Sequence, residues 1–186
     1  IIRHDSTMTN LSKALFINTR PAGRAQPLTA ALKQNGYQFI ELPLLKLQAC
    51  EYSSALDTLF QQLFDVQSIV VVSPTAVSIG MQYLQRSAVP LSKLKHIQWI
   101  AVGKTTADCL AEYGIQAHIP EVETSEGMLS LPLFKQQEDL KKIAFWRGEG
   151  GRQFMMQQCL ERQIEVLNFV LYQRVLPEQS RYVFQQ

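Results

Sequence analysis

The chain has 186 residues, of which 46% are apolar and 18% are charged, and its formal net charge is +2. This length and composition fit a globular protein of one domain or two small ones. The weak positive charge, without a stripe of Lys and Arg, argues against a nucleic-acid-binding protein, and no apolar run is long enough to span a bilayer.

The predicted elements begin after residues 1–7, which precede Met8 and have the character of a tag or of upstream sequence. The first elements, in chain order, are a strand over 14–18, a loop over 19–26, a helix over 27–34, a strand over 37–42 and a helix near 55–64. The helix over 27–34 ends at Asn35-Gly36, a usual C-terminal stop.

A repeated pattern of strand, polar loop and helix occupies most of the remaining chain. Its strands cover 68–73, 96–103 and 142–148, and two further strands cover 115–120 and 164–175. These runs are continuously apolar rather than alternating, which indicates strands buried on both faces of a parallel sheet. Alternation of such strands with helices predicts a doubly wound α/β architecture.

Ligands of such folds bind at the loops beyond the carboxyl ends of the strands. The loops there, each before a helix, are 19–26, 73–75, 103–106, 124–127 and 147–152. Helix N-termini carry free N–H groups and a partial positive charge, so each loop is a candidate anion site. The alternative is that single hydroxyl residues are plain N-caps, worth about 1 kcal/mol each. The residues open to both interpretations are Ser73, Thr105, Thr106, Thr124 and Ser125.

The glycine-rich loop RGEGGR at 147–152 does not have the pattern of a nucleotide-binding loop. It lacks both the G-x-x-x-x-G-K-[ST] spacing and the G-x-G-x-x-G pattern, and Glu149 would repel a pyrophosphate. The alternative to an anion site is a tight turn with two solvated arginines, Arg147 and Arg152.

Three cysteines, Cys50, Cys109 and Cys159, lie in apolar surroundings without C-x-x-C spacing. This pattern argues against disulfides and zinc, and it predicts buried free thiols in a reducing, cytoplasmic compartment. The sequence shows no metal-ligand cluster and no nucleophile elbow of the form G-x-S-x-G. An enzyme of this composition would work without metal, by positioning, backbone N–H donors and a tyrosine.

Several loop motifs occur in a fixed order along the chain. They are TRP after the first strand, SPTAV (73–77), AVGKTTADCL (101–110), TSEGML (124–129), RGEGGR (147–152) and LYQRV (171–175). The third has the form A-V-G-x-x-T-A. In this order and spacing the set resembles the uroporphyrinogen-III synthase family, over nearly the whole chain from Ala14 to about Val175.

The resemblance implies an α/β fold of two doubly wound, flavodoxin-like parallel-sheet domains joined by a two-stranded linker. The first domain would be discontinuous, formed by 8–43 and 171–186, and incomplete in this chain. The second domain would be formed by 44–170. Two strands and one helix bury little apolar surface, so we expect the first domain to be poorly packed, held by a neighbouring chain, or completed by further residues.

The resemblance also implies an activity. The family closes hydroxymethylbilane, a linear tetrapyrrole bearing acetate and propionate groups, to uroporphyrinogen III with inversion of ring D and loss of water. The family uses no cofactor, and we expect a monomer that binds this small molecule and neither nucleic acid nor membrane. A non-catalytic ligand-binding or sensor module of flavodoxin-like or binding-protein-like build is the alternative.

Residue roles follow from the same resemblance. Tyr172 in FVLYQRV matches the family tyrosine that is the usual candidate for general acid, and the alternative is a half-buried strand tyrosine. Thr106 matches a family threonine. The residues expected to bind the substrate are Arg20, Ser73, Thr75, Ala76, Gly103, Thr105, Thr106, Ser125, Glu126, Gly127, Arg147, Gly148, Arg152 and Arg174. Three of the arginines could instead be solvated loop and linker charges, namely Arg147, Arg152 and Arg174.

Overall fold

The computed structural model describes residues 14–135, 140–151 and 153–184. In these ranges the chain forms two compact units. The first contains 14–48 and 174–184, and the second contains 49–173 apart from the gaps. Among the described residues, no helix combines the length and the apolar character that crossing a membrane requires.

The first unit is built on a small parallel sheet. β1 (Leu15–Asn18) pairs with β2 (Gln38–Glu41), and α1 (Ala22–Gln34) connects the two strands. Leu15 and Ile17 of β1 are more than half exposed. The sheet therefore buries little apolar surface within the described part of this unit.

Helix α1 begins earlier than the sequence predicted. The prediction placed Pro27 at the first helical position, which proline favours, and extended the preceding loop to residue 26. In the structure Pro21 precedes the first turn, and the Arg24 N–H donates to its carbonyl at 2.7 Å. Pro27 lies inside the helix and removes one backbone hydrogen bond from it.

The remaining elements follow the predicted alternation of strands and helices. In chain order they are β3 (Lys46–Ala49), α2 (Ser54–Gln61), a 3₁₀ helix (Gln62–Asp65), β4 (Ser68–Val71), α3 (Pro74–Arg86), a 3₁₀ helix (Leu91–Leu94), β5 (Gln98–Ala101), α4 (Lys104–Ala111), β6 (Ala117–His118), α5 (Ser125–Leu129), α6 (Pro132–Lys135), β7 (Lys142–Gly148), α7 (Phe154–Glu161), β8 (Glu165–Val175) and α8 (Glu178–Phe184). Strand β3 was not predicted, whereas β4 to β8 lie within the predicted strand ranges.

In the described part of the chain, six strands form the main sheet, in the order β3-β8-β7-β4-β5-β6. The pairs β4–β5, β4–β7, β5–β6 and β7–β8 are all parallel. Strands β1 and β2 form a separate sheet. The predicted α/β fold with parallel sheets is confirmed.

The central strands of the main sheet, β4 and β7, are buried on both faces, as their continuous apolar runs indicated. Residues Ile69 to Val71 of β4 are completely buried. Four aromatic rings pack together in this core, with centroid separations of 4.9 Å for Phe60–Phe169 and 5.2 Å for Trp99–Trp146. A second cluster includes Val70, Ile100, Phe134, Phe145 and Met155.

The chain reverses its direction of travel across the sheet between β4 and β7. From β4 it proceeds through β5 to β6 on one side, and it then returns to place β7 and β8 on the other side of β4. Ligand sites of doubly wound sheets lie at such a switch point, outside the carboxyl ends of the strands. The residues at that edge are therefore the starting point for a candidate site.

Candidate functional site

A tyrosine and a serine meet at the switch point of the main sheet. Tyr172 lies on β8 and Ser73 follows β4, and their hydroxyl oxygens are 3.0 Å apart, within hydrogen-bond distance. Tyr172 is only 4% exposed. The sequence-predicted acid and one predicted binding residue are thus brought together by strands that are remote in the chain.

A bulge in β8 aims Tyr172 at this edge. Arg147 pairs with Val170 and Gly148 pairs with Tyr172, so Leu171 is an extra residue on β8. Side chains alternate between the faces of a strand, and an inserted residue reverses that alternation beyond the bulge. The sequence pattern of β8 did not reveal this irregularity, which decides where the phenol lies.

Gly148 provides the space for the tyrosine ring. A Cβ atom at Gly148 would lie 2.4 Å from Cε2 and 2.5 Å from Cζ of Tyr172. These distances are far inside van der Waals contact, so the ring occupies the volume that a side chain would need. The Glu149 N–H also donates to the Tyr172 carbonyl at 2.7 Å, which fixes the backbone beneath the ring.

Ser73 is also the N-cap of α3. Its Oγ accepts a hydrogen bond from the Ala76 N–H at 3.1 Å, and Pro74 occupies the first helical position. The capping interpretation is confirmed for Ser73. Thr75 is half-buried and Ala76 is completely buried in this first turn.

The N-terminus of α4 holds a carboxylate that belongs to the chain itself. The Lys104 N–H donates to Glu123 Oε1 at 2.8 Å, and a Cβ atom at Gly103 would lie 2.4 Å from Glu123 Oε2. Gly103 is the N-cap, so the capping interpretation is wrong for Thr105 and Thr106, which lie inside the helix. Thr105 is exposed, whereas Thr106 is 4% exposed.

A short capped turn follows at α5. Thr124 accepts from the Gly127 N–H at 3.0 Å, so its capping interpretation is confirmed, while Ser125 is the first residue of the helix and not its cap. A Cβ atom at Gly127 would lie 2.0 Å from the Val122 carbonyl oxygen, so the turn requires glycine. Glu126 is exposed on this turn.

Arg147 holds the glycine-rich loop from inside. It is 5% exposed, and its guanidinium donates to the carbonyls of Gly148 and Gly151 and to the Met156 sulfur. The interpretation of Arg147 as a solvated charge is therefore wrong, because its donors satisfy loop carbonyls. Arg152, the second arginine of the loop, lies outside the described residues.

Two predicted binding residues belong to the first unit. Arg20 and Arg174 are both exposed there. The Arg20 N–H donates to Asn18 Oδ1 at 3.3 Å. Buried Asn18 in turn donates to the Ala25 carbonyl and to Thr29 Oγ1, both at 3.1 Å, and so fixes the turn between β1 and α1.

Asn18 and Glu123 are the residues of these loops that sequence reasoning missed. The sequence indicates a role for Asn18 only weakly, through its position as a polar residue at the end of an apolar strand. Glu123 lies in the acidic segment EVETSEG, and nothing in the sequence indicates that it contacts a helix 19 residues away.

The thiols differ in their environments. Cys159 is buried as predicted, whereas Cys50 and Cys109 are only half-buried, so the prediction of burial is wrong for those two. Burial raises the pKa of the Cys159 thiol to about 11. Burial, with a smaller contribution from Glu149, also raises the pKa of Cys50.

Within the described residues, His, Cys, Asp and Glu form no group of three or more that could hold a metal ion.

Comparison with known proteins gives a consistent result. The model of the family described as "Uroporphyrinogen-III synthase HemD" matches residues 26–186. Uroporphyrinogen-III synthase of Proteus mirabilis is 27% identical over an alignment of 161 residues, and the match covers 84% of this chain and 78% of that protein.

Solved structures share the fold. A mutant uroporphyrinogen III synthase from the extremely thermophilic bacterium Thermus thermophilus matches with a TM-score of 0.72 at 16% identity, covering 89% of this chain and 64% of that one. The wild-type protein in another crystal form matches with a TM-score of 0.60 at 17% identity, covering 89% and 63%. The chain thus spans just under two thirds of the length of these structures.

Proposed function

Because the chain belongs to the uroporphyrinogen-III synthase family, we propose that this protein cyclises hydroxymethylbilane to uroporphyrinogen III, with inversion of ring D and loss of water. The family match over residues 26–186 is the observation that carries the proposal. The relative from Proteus mirabilis is also called uroporphyrinogen-III synthase. We expect the protein to act without a cofactor, as a cytoplasmic monomer.

Tyr172 is the proposed general acid. Departure of the terminal hydroxyl leaves an electron-poor azafulvene, and a phenol that donates its proton converts the leaving hydroxyl into water. The proton returns to the phenolate when the pyrrole carbon that closes the ring loses its hydrogen. The position of Tyr172 at the switch point, 3.0 Å from Ser73, supports this role.

The loops at the same edge are the proposed carboxylate sites. The amide at the start of α4 already donates to the Glu123 carboxylate, so a substrate carboxylate that binds there would have to take the place of Glu123. The proposed contacts with acetate and propionate groups at this edge include Thr75 and Thr105. Arg147 is instead proposed to position the glycine-rich loop, because its guanidinium donates to loop carbonyls.

Selectivity is proposed to come from orientation rather than from reactive groups. The azafulvene reacts unaided with the unsubstituted carbon of ring D and gives the type I isomer. The enzyme has to hold the linear tetrapyrrole so that the substituted carbon of ring D attacks. In well-oriented reactions, positioning of this kind can lower the activation barrier by about 7–11 kcal/mol. A rigid set of helix N-termini is suited to that task.

The proposed domain organisation is two α/β domains, 8–43 with 171–186 and 44–170, joined by a two-stranded linker. The division of the chain near residues 48 and 173 and the separate sheet of β1 and β2 support it. Strands β3 and β8, which extend across both boundaries and neighbour each other in the main sheet, are the proposed linker strands.

The test is turnover of hydroxymethylbilane by the full chain, read by chromatography that separates the type I and type III isomers. We expect the type III isomer at a rate above that of spontaneous type I closure. Binding of the substrate with only type I product would contradict the proposal and indicate a non-catalytic binding module.

A further inference from the structure

Ser73 links a helix N-terminus to the phenol of Tyr172. Its Oγ accepts from the Ala76 N–H at 3.1 Å and lies 3.0 Å from Tyr172 Oη. The helix behind it, α3, has 13 residues, so its first turn carries the positive end of a full helix dipole. The three groups form a chain that runs from the backbone amide through the serine to the phenol oxygen.

The direction of the serine–tyrosine hydrogen bond follows from this chain. Either hydroxyl could be the donor, since each has one hydrogen and accepting lone pairs. An oxygen that already accepts a hydrogen bond becomes a better donor, because linked hydrogen bonds polarise one another. Ser73 Oγ accepts from Ala76, so the single serine hydrogen is free to point at Tyr172 Oη, while the more acidic phenol hydrogen is free to point at a substrate.

We infer that Ser73 is a positioning residue for the proposed reaction: its hydroxyl donates to Tyr172 Oη, leaves the phenol proton free for the substrate, and stabilises the phenolate once that proton has departed. This inference rests on the proposed role of Tyr172 as general acid. The opposite direction would hold the phenol proton on Ser73 and away from the leaving hydroxyl. Gly148 keeps the ring from moving off this bond, because the ring packs directly on its backbone.

A double-mutant cycle on kcat tests the inference in the full chain. Ser73→Ala is expected to lower kcat on the order of tenfold or more, as loss of a hydrogen bond to a charged group does, with little change in KM. In the Tyr172→Phe background the same substitution is expected to cause no further loss, because Ser73 acts through the phenol. Ser73→Thr, which keeps both the cap and the donor, is expected to restore kcat.

Ser53→Ala is the matched control. Ser53 caps α2 in the same way, with Oγ accepting from the Leu56 N–H at 3.2 Å, but its hydroxyl is not part of the Tyr172 chain. The two serine-to-alanine variants should lose similar stability, and only Ser73→Ala should lose kcat. Equal kcat in Ser53→Ala and Ser73→Ala would overturn the inference. So would losses in kcat that multiply when Ser73→Ala is combined with Tyr172→Phe.

An infrared measurement separates this inference from the proposed activity. In protein with ¹³C-labelled tyrosine, the difference between the wild type and Tyr172→Phe isolates the C–O stretch of Tyr172. Accepting a hydrogen bond weakens the phenol C–O bond and donating one strengthens it, so the band should rise in Ser73→Ala. A band that falls shows that Tyr172 is the donor and refutes the inference, whether or not the type III isomer forms.

Discussion

Substitution of Gly148 by alanine should displace the tyrosine on which the proposed chemistry depends. The added Cβ would lie 2.4 Å from Tyr172 Cε2. Ordinary carbon contacts are about 3.5 Å, so the ring has to move by about 1 Å. Tyr172 is buried and packed, so its shift also carries the phenol oxygen away from Ser73.

The expected cost is larger for catalysis than for folding. Misplacement of a reacting group by about 1 Å can lower a rate on the order of 10²-fold, and we expect a loss of that size in kcat for Gly148→Ala. Overpacking of the interior should lower the free energy of unfolding by about 1–3 kcal/mol. Isomer-resolved turnover and urea denaturation measure the two effects on the same samples.

Gly23→Ala is the control for this substitution. Gly23 lies in α1, and outside its own stretch of helix backbone no atom comes within 4 Å of its hypothetical Cβ. We expect unchanged kcat and a gain in stability of about 0.4–1 kcal/mol, since alanine restricts the unfolded chain. If Gly148→Ala retained the kcat of the wild type, the ring would not need its present position and the reasoning would be refuted.

Three further predictions concern the reacting group, a thiol and the core. Tyr172→Phe should lower kcat on the order of 10²–10⁴-fold, with a change of less than about 1 kcal/mol in the free energy of unfolding. Full activity of this variant would show that Tyr172 contributes to packing and not to catalysis. Burial raises the pKa of Cys159 from its usual 9.0 to about 11, so the unfolded thiol ionises first and stability should fall as pH rises from 9 towards 11. Urea denaturation across that range should show a smaller fall in Cys159→Ala, and an equal fall in both proteins would contradict this. Gly80→Ala should lower the free energy of unfolding by about 1–3 kcal/mol, because the added Cβ would lie 2.2 Å from the Trp146 ring. The melting temperature should fall accordingly, and an unchanged melting temperature would show that Trp146 has room to move.

The sequence was most informative where local pattern and tertiary environment agree. The run SIVVVS predicted a strand buried on both faces, and β4 is such a strand at the centre of the main sheet. Strand β3 escaped prediction because KLQA mixes charged and polar residues and lies mostly exposed at the edge of the sheet, where burial does not select apolar side chains.

The candidate site was predictable in its location but not in its contacts. The loops at the carboxyl ends of strands follow from the alternation of strands and helices alone. The burial of Arg147 and the carboxylate of Glu123 at α4 depend on partners in folded loops, which a linear pattern does not contain. The bulge that aims Tyr172 arises from pairing between β7 and β8, so it too is a property of the folded sheet.

The shortness of β6 has a consequence for the behaviour of the protein at high concentration. An open sheet ends in unpaired N–H and C=O groups that can recruit a strand from another molecule. Only Ala117 and His118 form the edge at β6. A strand added there would gain two residues of pairing, too few to offset an ordering cost of about 1–2 kcal/mol per residue. This edge therefore resists the growth of intermolecular sheets without needing a charged residue or a covering helix.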